Sequence, residues 1–276
     1  MDAAKQRALV TGASSGFGAE IARVLAERGV HLVLAARRRD RLRALADELQ
    51  QKHDVPVAVF AADLSMANGP QQLFDEVQAA GLQIDILVNN AGVGHFGPFL
   101  DQSVQQIEEM IAVDVTAAIV LTRLYAQVMV RQGGGRILQV SSFAALQPIP
   151  RYSIYSGAKA FLVAMAQGLQ HELRKTGVSI SVVAPGFMST EFHDVAHHER
   201  TLLMKITTLP LHYAARKAVN GMFRGKLLIT PGLFYQINGL VVRFLPRRLA
   251  SAISAMSVGE KNRAQTHDER NADERK

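Results

Sequence analysis

Short apolar runs rich in β-branched residues alternate along this chain with longer stretches of helical periodicity, and that alternation leaves few folds open. The runs are Ala8–Thr11, His31–Ala35, Val57–Ala61, Ile84–Asn89, Arg136–Ser141 and Ser179–Ala184, with a seventh near Leu227–Thr230. The helical stretches include Gly18–Arg28, Arg38–Lys52, Gly69–Ala79, Val104–Arg131 and Tyr155–Thr176. A strand that is apolar at consecutive positions has both faces covered, and its parallel neighbour is reached through a crossover that is usually a helix. The pattern therefore predicts an α/β fold, a doubly wound parallel sheet of about seven strands. At 276 residues, 48% of them hydrophobic, the chain suits one such domain.

Residues 1–232 read as that domain, 233–258 as an amphipathic extension, and 259–276 as a charged, disordered tail. The formal charge is +7, yet the tail holds five basic and five acidic residues, so the positive field belongs to the folded part. Such a field suits a phosphorylated ligand or an anionic surface. Nucleic acid is not expected, because no basic stretch is interleaved with aromatics and tryptophan is absent. There is no cysteine, which removes disulfide and thiolate chemistry and fits a reducing compartment. No run approaches the ~18–20 consecutive apolar residues of a spanning helix, and the first residues lack a signal-peptide apolar region. A cytoplasmic location is expected. The extension keeps two readings open: a cover or subunit interface, or a membrane-surface helix with Arg243, Arg247 and Arg248 beside Ile237, Val241, Phe244 and Leu249.

After the first strand comes Thr11-Gly12-Ala13-Ser14-Ser15-Gly16-Phe17-Gly18, which opens a helix. Helix N-terminal N–H groups attract anions, and glycines admit a pyrophosphate close to the backbone, as in Rossmann-like dinucleotide sites. The glycine spacing departs from the general G-x-G-x-x-G fingerprint. At the end of the second strand stand Arg37, Arg38 and Arg39, with no carboxylate before Asp40. An acidic residue there would bind a ribose 2′-hydroxyl, whereas arginine accommodates a 2′-phosphate. Arg37 is read as that phosphate ligand, so NADP(H) is preferred over NAD(H); Arg39, Arg41 and Arg43 read as a solvated helix start.

Tyr155 and Lys159 are four residues apart, on one face of a helix. A phenol ordinarily titrates near pH ~10, and an adjacent ammonium is expected to lower that value. Tyr155 then serves as an acid or base near neutrality.

Together these residues resemble the short-chain dehydrogenase/reductase family over about Lys5 to Thr230. Thr11–Gly18 is similar to its cofactor turn, Asp63-Leu64 to its adenine contact, and Asn89-Asn90-Ala91-Gly92 to the strand end beside the adenosine ribose. Ser142, Tyr155 and Lys159 match its catalytic serine and Y-x-x-x-K pair, and Pro185, Gly186 and Thr190 its nicotinamide-flanking segment. The resemblance implies that Ser142 hydrogen-bonds a substrate oxygen and Tyr155 exchanges a proton with it. It implies that Lys159 lowers the phenol pKa and holds the nicotinamide ribose, while the cofactor carries hydride. It also implies a homo-oligomer and a small carbonyl or alcohol substrate. Phe187, Met188, Phe192, Leu202, Leu203 and Met204 lean towards a hydrophobic one, with ordinary packing an equal alternative.

One departure stands out. Where the family usually has asparagine, in the helix after the fourth strand, this chain has Asp114. An ionised carboxylate cannot donate a hydrogen bond and adds negative charge near Lys159, so an altered pH profile is expected. A nucleotide-binding regulatory protein with weakened or lost catalysis is the alternative, and the extended sugar epimerases are a rival within the family. His193 and His197 have metal-like spacing and His198 follows, but no H-E-x-x-H glutamate accompanies them, and no metal is assigned.

Overall fold

A computed structural model describes residues 6–147, 149–188, 206–246, 248–250 and 254. Seven strands form one parallel sheet: β1 (Arg7–Thr11), β2 (His31–Ala36), β3 (Val57–Ala61), β4 (Ile86–Asn89), β5 (Gly135–Val140), β6 (Val178–Val183) and β7 (Leu228–Ile229). Their order is β3-β2-β1-β4-β5-β6-β7, so the chain winds outward from β1 in both directions. The helices are α1 (Gly16–Ala26), α2 (Arg39–His53), α3 (Gly69–Ala79), α4 (Val104–Ile111), α5 (Ala118–Arg131), α6 (Ser153–Leu173), α7 (Leu211–Phe223) and α8 (Leu233–Phe244).

The period-two geometry of a strand divides its apolar residues between two layers. Val10, Leu32, Leu34, Ile86, Val88 and Leu138 face the layer of α1, α2 and α7, where Ile21, Leu25, Leu42, Leu49, Val219 and Met222 meet them. Leu9, Val33, Leu87, Ile137 and Ile180 face Leu73 and Val77 of α3, Leu121, Tyr125 and Met129 of α5, and Ala166 of α6. Burial on both sides explains why the strands read as continuous apolar runs rather than as alternating ones.

The expected strands all occur, with ends displaced by up to two residues; β4 starts at Ile86 rather than Ile84. The larger difference lies in the stretch Val104–Arg131, expected as one helix. It breaks into α4, a π-helical turn over Ala112–Ala117, and α5. Asp114 lies inside that turn, 1% exposed. A π turn inserts a residue into the helical ladder and is frequent where a side chain is re-aimed. By length and composition the whole stretch could cross a bilayer, but its apolar face packs on the sheet.

Strand order reverses between β1 and β4, and such switch points open a crevice beyond the carboxyl ends of the strands. The candidate site lies there.

Candidate active site

The wall of the crevice is built by hydrogen bonds across the switch point. The Thr11 hydroxyl donates to Val88 O (3.2 Å) and accepts from the backbone N–H groups of Asn90 and Ala91 (both 3.0 Å). Asn90 Nδ2 reaches back to Thr11 O (2.9 Å) and Gly12 O (3.3 Å). Gly12 holds φ +65°, and a Cβ on it would stand 2.8 Å from Ala91 Cα. Thr11, Gly12 and Asn90 therefore fix the turn, while Ser15, Gly16 and Phe17 border the cavity beyond it.

The turn is suited to an anion. The N-cap Ser15 makes no side-chain capping bond, and the first turn of α1 holds no acidic residue. Its N–H donors and the positive end of the helix dipole are left to face the crevice.

At the outer end of the turn the sequence signal pointed to Arg37. That residue is exposed and pairs with Glu109 at 3.3 Å; its charge also helps hold the Asp63 carboxyl below its ordinary pKa, after the larger effect of the Ser65 hydrogen bonds. The next residue, Arg38, lies over the glycine turn. Its guanidinium donates to Ser14 Oγ (3.1 and 3.2 Å) and Ser15 Oγ (2.5 Å). The sequence showed three consecutive arginines but not which would fold back. Leu64 is buried in the core, so only its backbone is available to a ligand.

The reactive candidates gather at the ends of β5 and α6. Ser142 follows β5; its hydroxyl accepts from Ala144 N (3.2 Å), and it borders the same cavity as Tyr155. Lys159, 4% exposed, donates to Val140 O (3.2 Å) and stands 3.5 Å from Asp114 Oδ1. Asp114 Oδ1 accepts from Val93 N (3.0 Å). Gly92 makes room for this pair: a Cβ there would be 2.5 Å from Asp114 Oδ1 and 3.1 Å from Lys159 Nζ.

Electrostatics here correct one expectation. Tyr155 is not made more acidic by Lys159. Burial pushes its pKa up, the charge of Asp114 pushes it further, and the Ser142 hydrogen bond only partly opposes them. The Lys159 ammonium is engaged with Asp114 and the Val140 carbonyl, 5.6 Å from the centre of the Tyr155 ring. Asp114 itself is raised to about 6, because desolvation outweighs the attraction of Lys159 and the Val93 N–H bond.

A cavity of about 310 Å³ joins these groups, bordered by the glycine turn, Asn90–Gly92, Ser142, Tyr155, Lys159 and Pro185–Phe187. Helix α8 closes it. Tyr235 packs against Gly186 and lies edge-on to Phe143 (centroids 5.1 Å apart). Its hydroxyl accepts from Phe187 N (2.9 Å) and donates to Thr207 O (3.0 Å). Tyr152, Tyr235 and Asn238 also border the cavity; the amphipathic pattern from Phe234 onward was the only sequence sign of this. Thr190, His193, His197 and His198, with Phe192 and Leu202–Met204, lie outside the described residues.

A family model for short chain dehydrogenases matches residues 6–201. The chain is 33% identical to an uncharacterized oxidoreductase of Staphylococcus saprophyticus, over 66% of this chain and 78% of that protein. It is 34% identical to a very-long-chain 3-oxoacyl-CoA reductase of Bos taurus, over 67% of this chain; it spans only 60% of that reductase's length. A short-chain dehydrogenase from Sphingobium yanoikuyae, solved in complex with NADPH, superposes with a TM-score of 0.78 at 31% identity, covering 88% of this chain and 97% of that one. With that family model matching most of the chain, and with these relatives and this parallel sheet beside it, the chain belongs to the short-chain dehydrogenase/reductase family of oxidoreductases.

Proposed function

We propose that the protein is an NADP(H)-dependent oxidoreductase that interconverts a carbonyl and a secondary alcohol bearing hydrophobic substituents. The observation that carries the reading is the shared cavity, in which Ser142 and Tyr155 face the space between the glycine turn and Pro185–Gly186. The free first turn of α1, Asn90–Gly92 and Pro185–Gly186 fit a dinucleotide; Arg38 with Ser14, and Arg37 beside it, fit a 2′-phosphate. Asp63 and the Leu64 backbone would meet the adenine, Lys159 the nicotinamide ribose, and Thr190 the carboxamide.

When bound, the nicotinamide supplies the hydride. The residues of this chain orient the carbonyl and handle its proton. The Ser142 hydroxyl donates a hydrogen bond to the carbonyl oxygen, and the Tyr155 hydroxyl passes its proton to that oxygen as it becomes an alkoxide. A phenol whose pKa is raised holds its proton at neutral pH, the form that reduction consumes. The NADPH-bound structure of the Sphingobium relative and the 3-oxoacyl-CoA reductase name of the bovine one support this chemistry. A cytoplasmic, homo-oligomeric enzyme completes the reading.

A nucleotide-binding protein with weakened catalysis is the second reading, and the Asp114–Lys159 pair favours it by drawing the ammonium from the phenol. A panel of carbonyl compounds, followed by NADPH consumption beside Tyr155→Phe, separates the two. Turnover that falls by about 10²–10⁴-fold in the variant, with NADPH binding retained, supports the enzyme. No turnover by the wild type on any carbonyl refutes it.

A further inference from the structure

One stripe of α8 leads away from the catalytic cavity. Phe234, Ile237, Asn238, Val241, Val242 and Leu245 recur at i, i+3, i+4, i+7, i+8 and i+11, and they border a second cavity of about 320 Å³. Gln147 and Ala250 complete its lining. The two cavities share Gln147, Phe234 and Asn238, so the second continues the first. From Phe234 to the last helical residue, Phe244, the helix rises roughly 15 Å, which makes the extension a furrow along the helix axis.

The chemistry of the furrow is graded. Its two amide side chains, Gln147 and Asn238, stand at the junction with the catalytic cavity; everything further along is hydrocarbon. Ile237 and Val241 are 55% and 50% exposed, leaving apolar surface for a ligand to cover. The helix is held in place at the junction by Tyr235 and by Gly239 seated against Leu146 and Phe143. A flexible linear chain can follow a furrow of this shape.

We infer that the furrow binds the alkyl chain of a linear, long-chain carbonyl substrate whose reacting carbonyl sits at Ser142 and Tyr155. The inference rests on the oxidoreductase reading above and adds the substrate class. Burying one methylene favours binding by about fourfold, so kcat/KM is expected to climb with chain length until the furrow is full.

The test is NADPH-dependent reduction, by the full chain, of linear methyl ketones from butanone to chains longer than the furrow, beside bulky aryl ketones. The expected result is kcat/KM rising roughly fourfold per methylene and then levelling. Val242→Trp, checked for folding by circular dichroism, should lower the long-chain to short-chain kcat/KM ratio at least tenfold. Reduction with no dependence on length, or a preference for aryl ketones, overturns the furrow assignment and leaves the enzyme reading standing. A folded Val242→Trp that keeps the wild-type ratio overturns it as well. Failure to reduce any ketone would instead remove the reading on which it rests.

Discussion

Asp114→Asn changes one buried charge and little else in shape. The carboxylate is 1% exposed, and its Oδ2 has no hydrogen-bond partner among the described residues. Burial raises its pKa from 3.8 to about 6 despite Lys159 and the Val93 N–H. At about 1.4 kcal/mol per pH unit, that rise amounts to on the order of 3 kcal/mol. The sign follows from where the protons sit. Below pH ~4 folded and unfolded chains both hold the proton, and the aspartate carries no penalty. As pH climbs towards about 6 the unfolded chain has released its proton while the folded one keeps it, so the folded state loses stability, and the loss is complete above the folded pKa. Asparagine has no such term. The unfolding free energy of the variant minus that of the wild type should therefore rise by on the order of 3 kcal/mol between pH ~4 and ~7, then stay level. Urea unfolding followed by far-UV circular dichroism measures this, since the chain has no tryptophan to report by fluorescence. A difference that does not vary over that range, or that falls, would refute the account of a buried, strained carboxylate. The same variant removes a charge that raises the Tyr155 pKa, so the alkaline limb of its reductase pH profile should move to lower pH. Coincident pH–rate curves would show that Asp114 does not act on the phenol.

Two further expectations concern the cofactor and the closing helix. Arg38→Ala should raise KM for NADPH by about 10–100-fold, the worth of a charged hydrogen bond, and leave KM for NADH nearly unchanged. If Arg37→Ala shows that selectivity and Arg38→Ala does not, Arg37 is the phosphate ligand and the contacts of Arg38 to Ser14 and Ser15 are only structural. Tyr235→Phe removes the hydroxyl shared by Phe187 N and Thr207 O and should cost about 1–3 kcal/mol. Unchanged urea unfolding would mean that ring packing alone holds α8.

The parallel sheet was legible because its signal is local. Runs such as Leu87-Val88 are apolar at successive positions, and only a sheet covered on both faces buries them all. The glycine turn and the shared face of Tyr155 and Lys159 were legible for the same reason, since spacing along a helix fixes which side chains share a face, whereas Ser142 was singled out only by resemblance to the family. The sequence offered less where one segment contained two geometries. Val104–Arg131 has one continuous helical period, and nothing in it announces the π turn around Asp114.

What the sequence by itself determined is the parallel sheet and which candidate side chains share a strand end or a helix face. Tertiary structure decided how those groups behave. Whether Tyr155 is made more or less acidic depends on the burial and charge brought to it by Asp114, and that residue arrives from another helix. Which arginine covers the turn, and whether α8 borders a furrow, depend on how surfaces far apart in the chain pack. Spacing is a property of the backbone between neighbours, whereas desolvation, charge proximity and cavity shape arise only when distant segments meet.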